Sequence, residues 1–134
     1  MELRLVITVL CGVGLYAALF MLRKSVKADR GELREPSVVQ TARARLLGRI
    51  PNALLGAAYY PAFGIAVWFA DRPWEILTLL TICGFAAAVS AVLAYSLIFV
   101  TRMPCVYCWT SHAINWSLAL CYVIFSLRAL GVGR

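Results

Sequence analysis

The sequence carries little charge, and little of that charge is negative. Only 14% of the 134 residues are charged, six residues are acidic, and the net charge is +7. A soluble domain carries roughly 25% charged residues. Hydrophobic residues make up 63% of the chain, which is more apolar surface than a water-soluble fold of this size can bury. The composition therefore excludes an ordinary soluble domain and predicts an integral membrane protein.

The positive charge is concentrated in one region. Eight of the thirteen Lys and Arg residues lie between Arg23 and Arg49, with apolar runs on either side. Neither interleaved aromatic residues nor a nucleic-acid motif accompanies them, so we expect no nucleic-acid partner. We interpret the segment as a loop at an anionic surface of membrane lipids, although it could also dock an acidic partner.

Four apolar stretches are long enough to cross about 30 Å of hydrocarbon, and backbone in lipid must be helical. They cover about residues 3–22, 50–70, 74–100 and 103–127. The links after the second and third stretches are short, which makes neighbouring helices antiparallel. We predict an all-α integral membrane protein, a four-transmembrane-helix up-down bundle that forms a single domain over residues 1–134. No small-residue cleavage pattern follows the first stretch, so we expect a membrane span rather than a cleaved signal peptide.

Local signals add detail to this bundle. Apolar residues between Val38 and Leu47 recur at helical spacing and predict a short amphipathic helix on the membrane surface in the first loop. Pro51 and Pro104 are expected in the first turns of the second and fourth spans, where a missing N–H costs little. Pro61 falls inside the second span and predicts a kink there.

The five cysteines divide into two kinds. Cys11, Cys83 and Cys121 each lie inside an apolar run, and we expect them to behave as small hydrophobic side chains. Cys105 and Cys108 form a C-x-x-C pair at the predicted start of a helix. Free backbone N–H groups and the helix dipole stabilise a thiolate there, and the spacing allows a disulfide. The pair therefore indicates redox or metal chemistry.

A polar stripe continues from this pair into the fourth span. Cys105, Cys108, His112 and Asn115 share one helix face. Polar groups in lipid are costly unless they face the protein interior. The stripe could line a pocket for a membrane-soluble electron acceptor that His112 hydrogen-bonds, or it could hold a soft metal ion with two thiolates and an imidazole. It could also supply hydrogen bonds between helices, which we favour for Asn115 but not for His112.

The second span offers further candidates for the same pocket. Asn52, at its start, could donate a hydrogen bond to a ligand carbonyl, or it could cap the helix or bond a neighbouring helix. Gly56 lies one turn further on and permits close helix approach. Tyr59 and Tyr60 in this span, and Trp109 in the fourth, are as well suited to packing or to the membrane interface as to pocket walls.

Two segments resemble a known family. The stretch from Cys105 to Asn115 (CVYCWTSHAIN) resembles the active-site helix of the vitamin K epoxide reductase family. The stretch from Leu47 to Gly56 (LGRIPNALLG), followed by two tyrosines, resembles the segment that leads into that family's second helix. The two segments lie in the family's order, and the number of spans agrees.

The resemblance implies a four-helix bundle around a quinone, either menaquinone or ubiquinone. Cys105 and Cys108 would be the catalytic redox pair, with Cys108 nearer the quinone. Asn52 matches the family asparagine that hydrogen-bonds the quinone, and His112 takes the position of a second ligand-facing residue. Gly56, Tyr59 and Trp109 complete the set of expected cofactor-binding residues.

The implied function is that of a membrane thiol:quinone oxidoreductase. It would pass electrons from a thioredoxin-like protein thiol through the C-x-x-C pair to the quinone and so support disulfide formation. Family members typically carry two further cysteines in the first loop, near the places of Lys27 and Glu35, and this sequence has neither. Two alternatives therefore remain: a soft-metal-binding protein that uses the pair and His112, or a subunit that kept the bundle and lost turnover.

The orientation in the membrane depends on which signal is followed. With four spans, the first loop and the C-x-x-C pair lie on one side, together with nine Lys and Arg residues, against four on the other. The positive-inside rule would place that side in the cytoplasm. Bacterial proteins that resemble this one present the pair outside, and we follow them, which predicts a multi-pass protein of the cell (inner) membrane with an extracytoplasmic pair.

Overall fold

A computed structural model describes residues 1–46 and 49–131, and within them the chain is almost entirely helical. The four long helices are α1 (Glu2–Asp29), α2 (Asn52–Phe69), α3 (Pro73–Ser96) and α4 (Val106–Ala129). A π-helical turn, Leu97–Thr101, extends α3. The all-α prediction is therefore confirmed.

The first loop differs from its prediction. In place of an amphipathic helix it forms two short 3-10 turns, Val38–Gln40 and Ala42–Ala44. Thr41 lies between them with an extended backbone (φ −81°, ψ 150°), and its hydroxyl donates to the carbonyl oxygen of Val38 at 2.7 Å, so the two turns cannot merge into one helix. Val39 is buried, so this part of the loop packs against the helical bundle.

The end of this loop forms a two-residue antiparallel pairing. Strand β1 (Arg45–Leu46) pairs with strand β2 (Ile50–Pro51), immediately before α2. Leu47, the last residue of the predicted amphipathic helix, and Gly48, which belongs to the segment resembling the family, lie outside the described residues.

The helix ends also depart slightly from expectation. Helix α1 continues to Asp29, well past the predicted end of the first span, so the basic segment begins as helix. Pro51 is the N-cap of α2 rather than a residue of its first turn. Helix α4 begins at Val106 with Cys105 as its N-cap, and Pro104 precedes the cap. Pro61 lies within α2, as predicted.

Helices α1 and α2 pack antiparallel at very short range, and glycine makes this possible. A Cβ atom placed on Gly14 would lie 2.5 Å from the ring of Tyr60. One placed on Gly56 would lie 3.3 Å from the Cβ of Ala18. Small residues at such positions let two helix backbones approach closely. The close seam fixes α2 against α1 along most of its length.

Helix α4 packs between α1 and α3, antiparallel to both. The ring of Tyr107 stacks on Phe20 of α1 with ring centroids 3.9 Å apart. On the other side, the indole Nε1 of Trp116 donates to the carbonyl oxygen of Ala87 in α3 at 3.2 Å. Helices α2 and α3 follow each other along the chain but pack mainly on α1 and α4, respectively. The up-down order holds for all four helices, and a gap remains between α2 and α3.

Arg4 explains the charge inside the first apolar run. Its guanidinium forms an ion pair with Asp71 at 2.7 Å and donates to the carbonyl oxygen of Ala70 at 3.2 Å. It also lies 5.4 Å from the ring centroid of Phe125. One side chain therefore joins α1, the end of α2 and α4, at the end of the molecule opposite the C-x-x-C pair.

The molecule is apolar inside and outside. The hydrophobic core is formed by residues of all four helices: Ile7, Cys11, Ala18, Tyr60, Phe63, Val67, Cys83, Ile114, Leu118 and Tyr122. Large apolar side chains also cover the outside, among them Phe69, Phe85 and Leu120, each more than 60% exposed. Helix α1 and the helical stretch Pro73–Thr101 are long and apolar enough to cross a membrane. An outer surface of this kind suits lipid rather than water.

The α1–α2 seam gives a direct test of the fold. Gly14→Ala should destabilise the protein by about 1–3 kcal/mol, because the new methyl group overlaps the buried ring of Tyr60. Gly12→Ala is the matched control, since a Cβ there meets nothing within 4 Å and the gain in helix propensity is the same. Thermal unfolding in detergent measures both, and equal melting temperatures for the two variants would contradict the packing described.

Candidate functional site

The C-x-x-C pair lies at the start of α4 and forms a disulfide. Cys105 is the helix N-cap, and its Sγ accepts a hydrogen bond from the backbone N–H of Cys108 at 3.2 Å. The two Cα atoms are 5.2 Å apart, and the sulfurs are bonded. The predicted position at a helix N-terminus is confirmed. That position supplies the positive end of the helix dipole to either sulfur when the disulfide is reduced.

A strained turn precedes this N-cap, between the end of α3 and the start of α4. Arg102 has a left-handed backbone (φ 50°, ψ 31°), which is uncommon for a residue other than glycine. Its N–H donates to the carbonyl oxygen of Leu97 at 3.0 Å, and its Nε donates to that of Phe99 at 3.2 Å. These bonds close the π-helical turn at the end of α3. The chain can then reverse into α4 through a very short link.

An apolar cavity of about 630 Å³ lies beside the pair, at the gap between α2 and α3. All four helices and the first loop contribute to its wall. The exposed surface of the wall is mainly apolar, and the polar side chains on it include Cys108, His112, Asn115, Asn52 and Ser90. Such a cavity, mainly apolar with polar groups on its wall, is typical of a site for a small organic ligand.

His112 lies one helical turn beyond Cys108 on the cavity wall. It is 7% exposed, and its Nδ1 atom is buried with no hydrogen-bond partner within the described part of the chain. A buried polar atom left without a partner costs about 1–3 kcal/mol. The arrangement is therefore suited to a ligand that exchanges a hydrogen bond with the imidazole.

Asn115 makes the helix–helix hydrogen bond that the sequence analysis favoured. Its Nδ2 donates to the Oγ of Ser90 in α3 at 2.6 Å. This bond does not use the whole amide, because its Oδ1 is buried and unpartnered over residues 1–46 and 49–131. Ser90 was not among the residues predicted for the site. The only available signal was a serine inside an apolar span, and many such serines bond their own helix instead.

The candidates on α2 all line the cavity. Asn52 donates from Nδ2 to the carbonyl oxygen of Arg43 at 2.8 Å, which ties the start of α2 to the first loop. Gly56 lies on the cavity wall where α2 meets α1. Tyr59 contributes its ring, which packs 5.4 Å from that of Phe63. The amide nitrogen of Asn52 carries two hydrogens, and the bond to Arg43 uses one of them.

Trp109 is placed differently from the other candidates. It does not line the cavity, and its side chain is 40% exposed on the outer side of α4. Its ring meets that of His112 edge-on, with centroids 6.2 Å apart. Any influence of Trp109 on a ligand in the cavity would therefore pass through the orientation of His112.

The single cysteines follow their prediction. Cys11 and Cys83 are buried in the hydrophobic core, and Cys121 is half-buried beside it. The geometry also bears on the soft-metal alternative. The described residues contain no group of three or more His, Cys, Asp or Glu side chains placed to hold a metal ion. The sulfurs of Cys105 and Cys108 are bonded to each other in this structure, so neither is a free thiolate for a metal ion.

The fold and the site define a class: a helical membrane protein with a disulfide-forming C-x-x-C pair at one end of an apolar cavity. The model of the Vitamin K epoxide reductase family matches residues 5–123, and the chain belongs to that family. A search of curated proteins found no match. Membership confirms the resemblance read from the sequence and implies a membrane redox activity.

The burial of the cysteines predicts which thiols react. After mild reduction of the folded protein, we expect a membrane-impermeant maleimide to label Cys105, which is half-buried at the helix N-terminus. Cys11 and Cys83 should stay unlabelled, since they are 4% and 0% exposed. Mass spectrometry of peptides from the protein in detergent measures this, with urea-unfolded protein as the control. Labelling of Cys83 as fast as Cys105 in the folded protein would contradict the site geometry.

Proposed function

We propose that this protein is a membrane thiol:quinone oxidoreductase that supports disulfide formation. The observation that carries the proposal is the contact between its redox pair and the cavity: Cys108, half of the disulfide, lies on the wall of an apolar space of about 630 Å³. A disulfide has no structural need for such a space. A hydrophobic electron acceptor does need one beside the sulfur that reduces it.

The residues on the wall fit a quinone. A bound quinone supplies an acceptor for two electrons and two protons, and it requires an apolar space with hydrogen-bonding groups at its two ring oxygens. The wall is mostly apolar, with His112 and Asn52 close to the end where Cys108 lies. The Nδ1 of His112, which has no partner among the described residues, could exchange a hydrogen bond with a ring oxygen. Both menaquinone and ubiquinone satisfy these requirements.

Each candidate residue then has a role. A donor thiol attacks Cys105, which lies at the surface end of the pair and outside the cavity wall. Cys108 faces the cavity and passes the electrons on. Asn52 and His112 hold the ring oxygen that lies toward Cys108 and stabilise negative charge as it develops there. Gly56 and Tyr59 shape the wall.

The chemistry balances without a further component. Two thiols of the donor are oxidised to a disulfide while the Cys105–Cys108 disulfide is reduced to two thiols. The two thiols of the pair then close again to a disulfide, and their two electrons and two protons convert quinone to hydroquinone. An apolar wall favours this second step because it limits the water around the reacting groups, and His112 on that wall is buried.

The donor is proposed to be a thioredoxin-like protein thiol that reaches Cys105 directly. The segment from Arg23 to Arg49 contains no cysteine, so it cannot relay electrons within the chain. Val106, next to Cys105, is 77% exposed, and Pro104 on the other side is also exposed. A partner can therefore approach Cys105 without displacing a buried side chain.

The membrane arrangement extends the same proposal. All four helices expose large apolar side chains, which favours four spans and a single domain. The basic residues at the end of α1 and in the first loop would meet anionic headgroups of the membrane lipids. Following the family resemblance, we place the C-x-x-C side outside the cytoplasm, in the inner membrane of the cell.

Turnover of purified protein tests this function. In lipid nanodiscs with a reduced thioredoxin-like dithiol and a short-tail naphthoquinone, we expect one hydroquinone for each donor disulfide formed. Cys108→Ser should reduce the rate to background, because the electrons can no longer leave the pair. Cys121→Ser is the matched control and should leave the rate unchanged, since Cys121 lies outside the cavity wall.

Two results would count against the proposal. Turnover that survives in Cys108→Ser would show that the electrons bypass the pair. A wild-type protein that forms no hydroquinone with either naphthoquinone or benzoquinone probes, although its Cys105–Cys108 disulfide exchanges with the donor, would favour a subunit that kept the bundle and lost quinone reduction.

A further inference from the structure

We infer that Ser90 and Asn115 form a second polar contact in the cavity and bind the quinone oxygen that is the more distant from Cys108. The pair offers a donor to that oxygen in the quinone and an acceptor to the hydroxyl that replaces it in the hydroquinone. The inference rests on the proposed function and extends it to residues that the resemblance does not implicate. Its basis is a hydrogen-bonded pair, made by two different helices, that leaves the Ser90 hydroxyl able to donate and the Asn115 Oδ1 without a partner among the described residues, beside the cavity.

The position of the pair suits the far end of a ring. Cys108, His112 and Asn115 follow one another along one face of α4, and all three line the cavity. With a rise of about 1.5 Å per residue, Asn115 lies roughly 4.5 Å beyond His112 along the helix axis. A para-quinone has its two oxygens on opposite sides of a six-membered ring. An oxygen bound near His112 therefore leaves the other oxygen close to Asn115.

Helix–helix adhesion alone does not account for the pair. The Oδ1 of Asn115 is buried and has no partner among the residues that the structure describes. The carboxamide that donates to Ser90 necessarily carries this oxygen, and the helix–helix bond leaves it unsatisfied. Burial of such an atom is unfavourable, so its retention on a cavity wall points to a ligand.

The hydroxyl of Ser90 is also free to donate. Thr78 and Thr81, on the same helix, each donate to the carbonyl oxygen four residues earlier, at 2.7 and 2.9 Å. Ser90 makes no such bond within the described residues, although it is only 3% exposed. Its oxygen accepts from Asn115, and its hydrogen can rotate toward the cavity.

Together the two side chains offer complementary groups to the two redox states. A quinone oxygen only accepts hydrogen bonds, and the Ser90 hydroxyl can donate to it. When the two thiols of the pair close to a disulfide, two electrons and two protons reach the quinone, and each ring oxygen becomes a hydroxyl. That hydroxyl is a donor, and the Oδ1 of Asn115 can accept from it. The pair can therefore bind substrate and product without rearranging the helices.

Equilibrium binding tests the inference without turnover. Full-length protein in nanodiscs is titrated with 2-methyl-1,4-naphthoquinone in the disulfide state and with its hydroquinone in the dithiol state, two combinations that cannot react. Quenching of tryptophan fluorescence reports the Kd. Ser90→Ala should raise the quinone Kd about tenfold, and Asn115→Leu should raise the hydroquinone Kd about tenfold, each with a smaller effect on the other form.

Trp116→Phe is the matched control. Trp116 makes a hydrogen bond between the same two helices, to the carbonyl oxygen of Ala87, but it does not line the cavity. If the Ser90–Asn115 bond only joins helices, all three variants should lower the melting temperature and leave both Kd values unchanged, and that result overturns the inference. The inference expects the two Kd changes in Ser90→Ala and Asn115→Leu and none in Trp116→Phe.

The other possible binding results distinguish a failure of this inference from a failure of the proposed function. Saturable binding by the wild-type protein with unchanged Kd values in Ser90→Ala rejects the inference and leaves the proposed function standing. A wild-type protein that binds neither probe rejects both. Should Asn115→Leu fail to fold, Ser90→Ala decides alone, because it removes a single hydroxyl from a helix that keeps its other contacts.

Discussion

The site depends on one feature of the packing: α2 and α3 are consecutive helices that do not cover each other. Glycines let α2 lie tightly on α1, where Gly56 meets Ala18, and α3 pairs instead with α4. The space left between α2 and α3 is the cavity, and the polar face of α4 forms its back wall. If α2 moved off α1 toward α3, the space would narrow, so the small residues of the α1–α2 seam help to keep the cavity open.

The far end of the molecule keeps this arrangement in place. Arg4 is bonded to Asp71 and to the carbonyl oxygen of Ala70, and its guanidinium lies over Phe125. These contacts join α1, α2 and α4 around a smaller pocket of about 340 Å³. At the other end, Asn52 and an ion pair between Arg45 and Asp29 hold the first loop beside the opening. The two ends are thus held by different polar contacts, and the larger cavity lies toward the end that carries the C-x-x-C pair.

Much of this could be predicted because helical periodicity is a local property of the sequence. Residues three or four apart share a helix face, and this rule alone brought Cys108, His112 and Asn115 to one wall. The same rule failed in the first loop, where it predicted an amphipathic helix. There Thr41 bonds its own backbone, and Val39 is buried against the bundle, neither of which apolar spacing reveals.

The remaining differences come from contacts between distant parts of the chain. Ser90 became part of the site only because α3 brings it within 2.6 Å of Asn115. Trp109 was expected as a possible pocket wall, but its side chain lies on another side of α4 and does not line the cavity. Helical periodicity predicts which residues share a helix face. Which face then points into the cavity depends on how the helix packs against its neighbours. For this reason the helices and the redox pair were easier to predict than the wall.

The central claim is that the Cys105–Cys108 pair gives its electrons to a quinone in the membrane. The most direct measurement is the redox state of that pair in intact cells, with and without quinone biosynthesis, in a background where Cys11, Cys83 and Cys121 are replaced by serine. Alkylation with a membrane-impermeant maleimide distinguishes thiol from disulfide. We expect an oxidised pair when quinone is present and a reduced pair, labelled from outside, when quinone is absent. A pair whose redox state is the same in both conditions would contradict it.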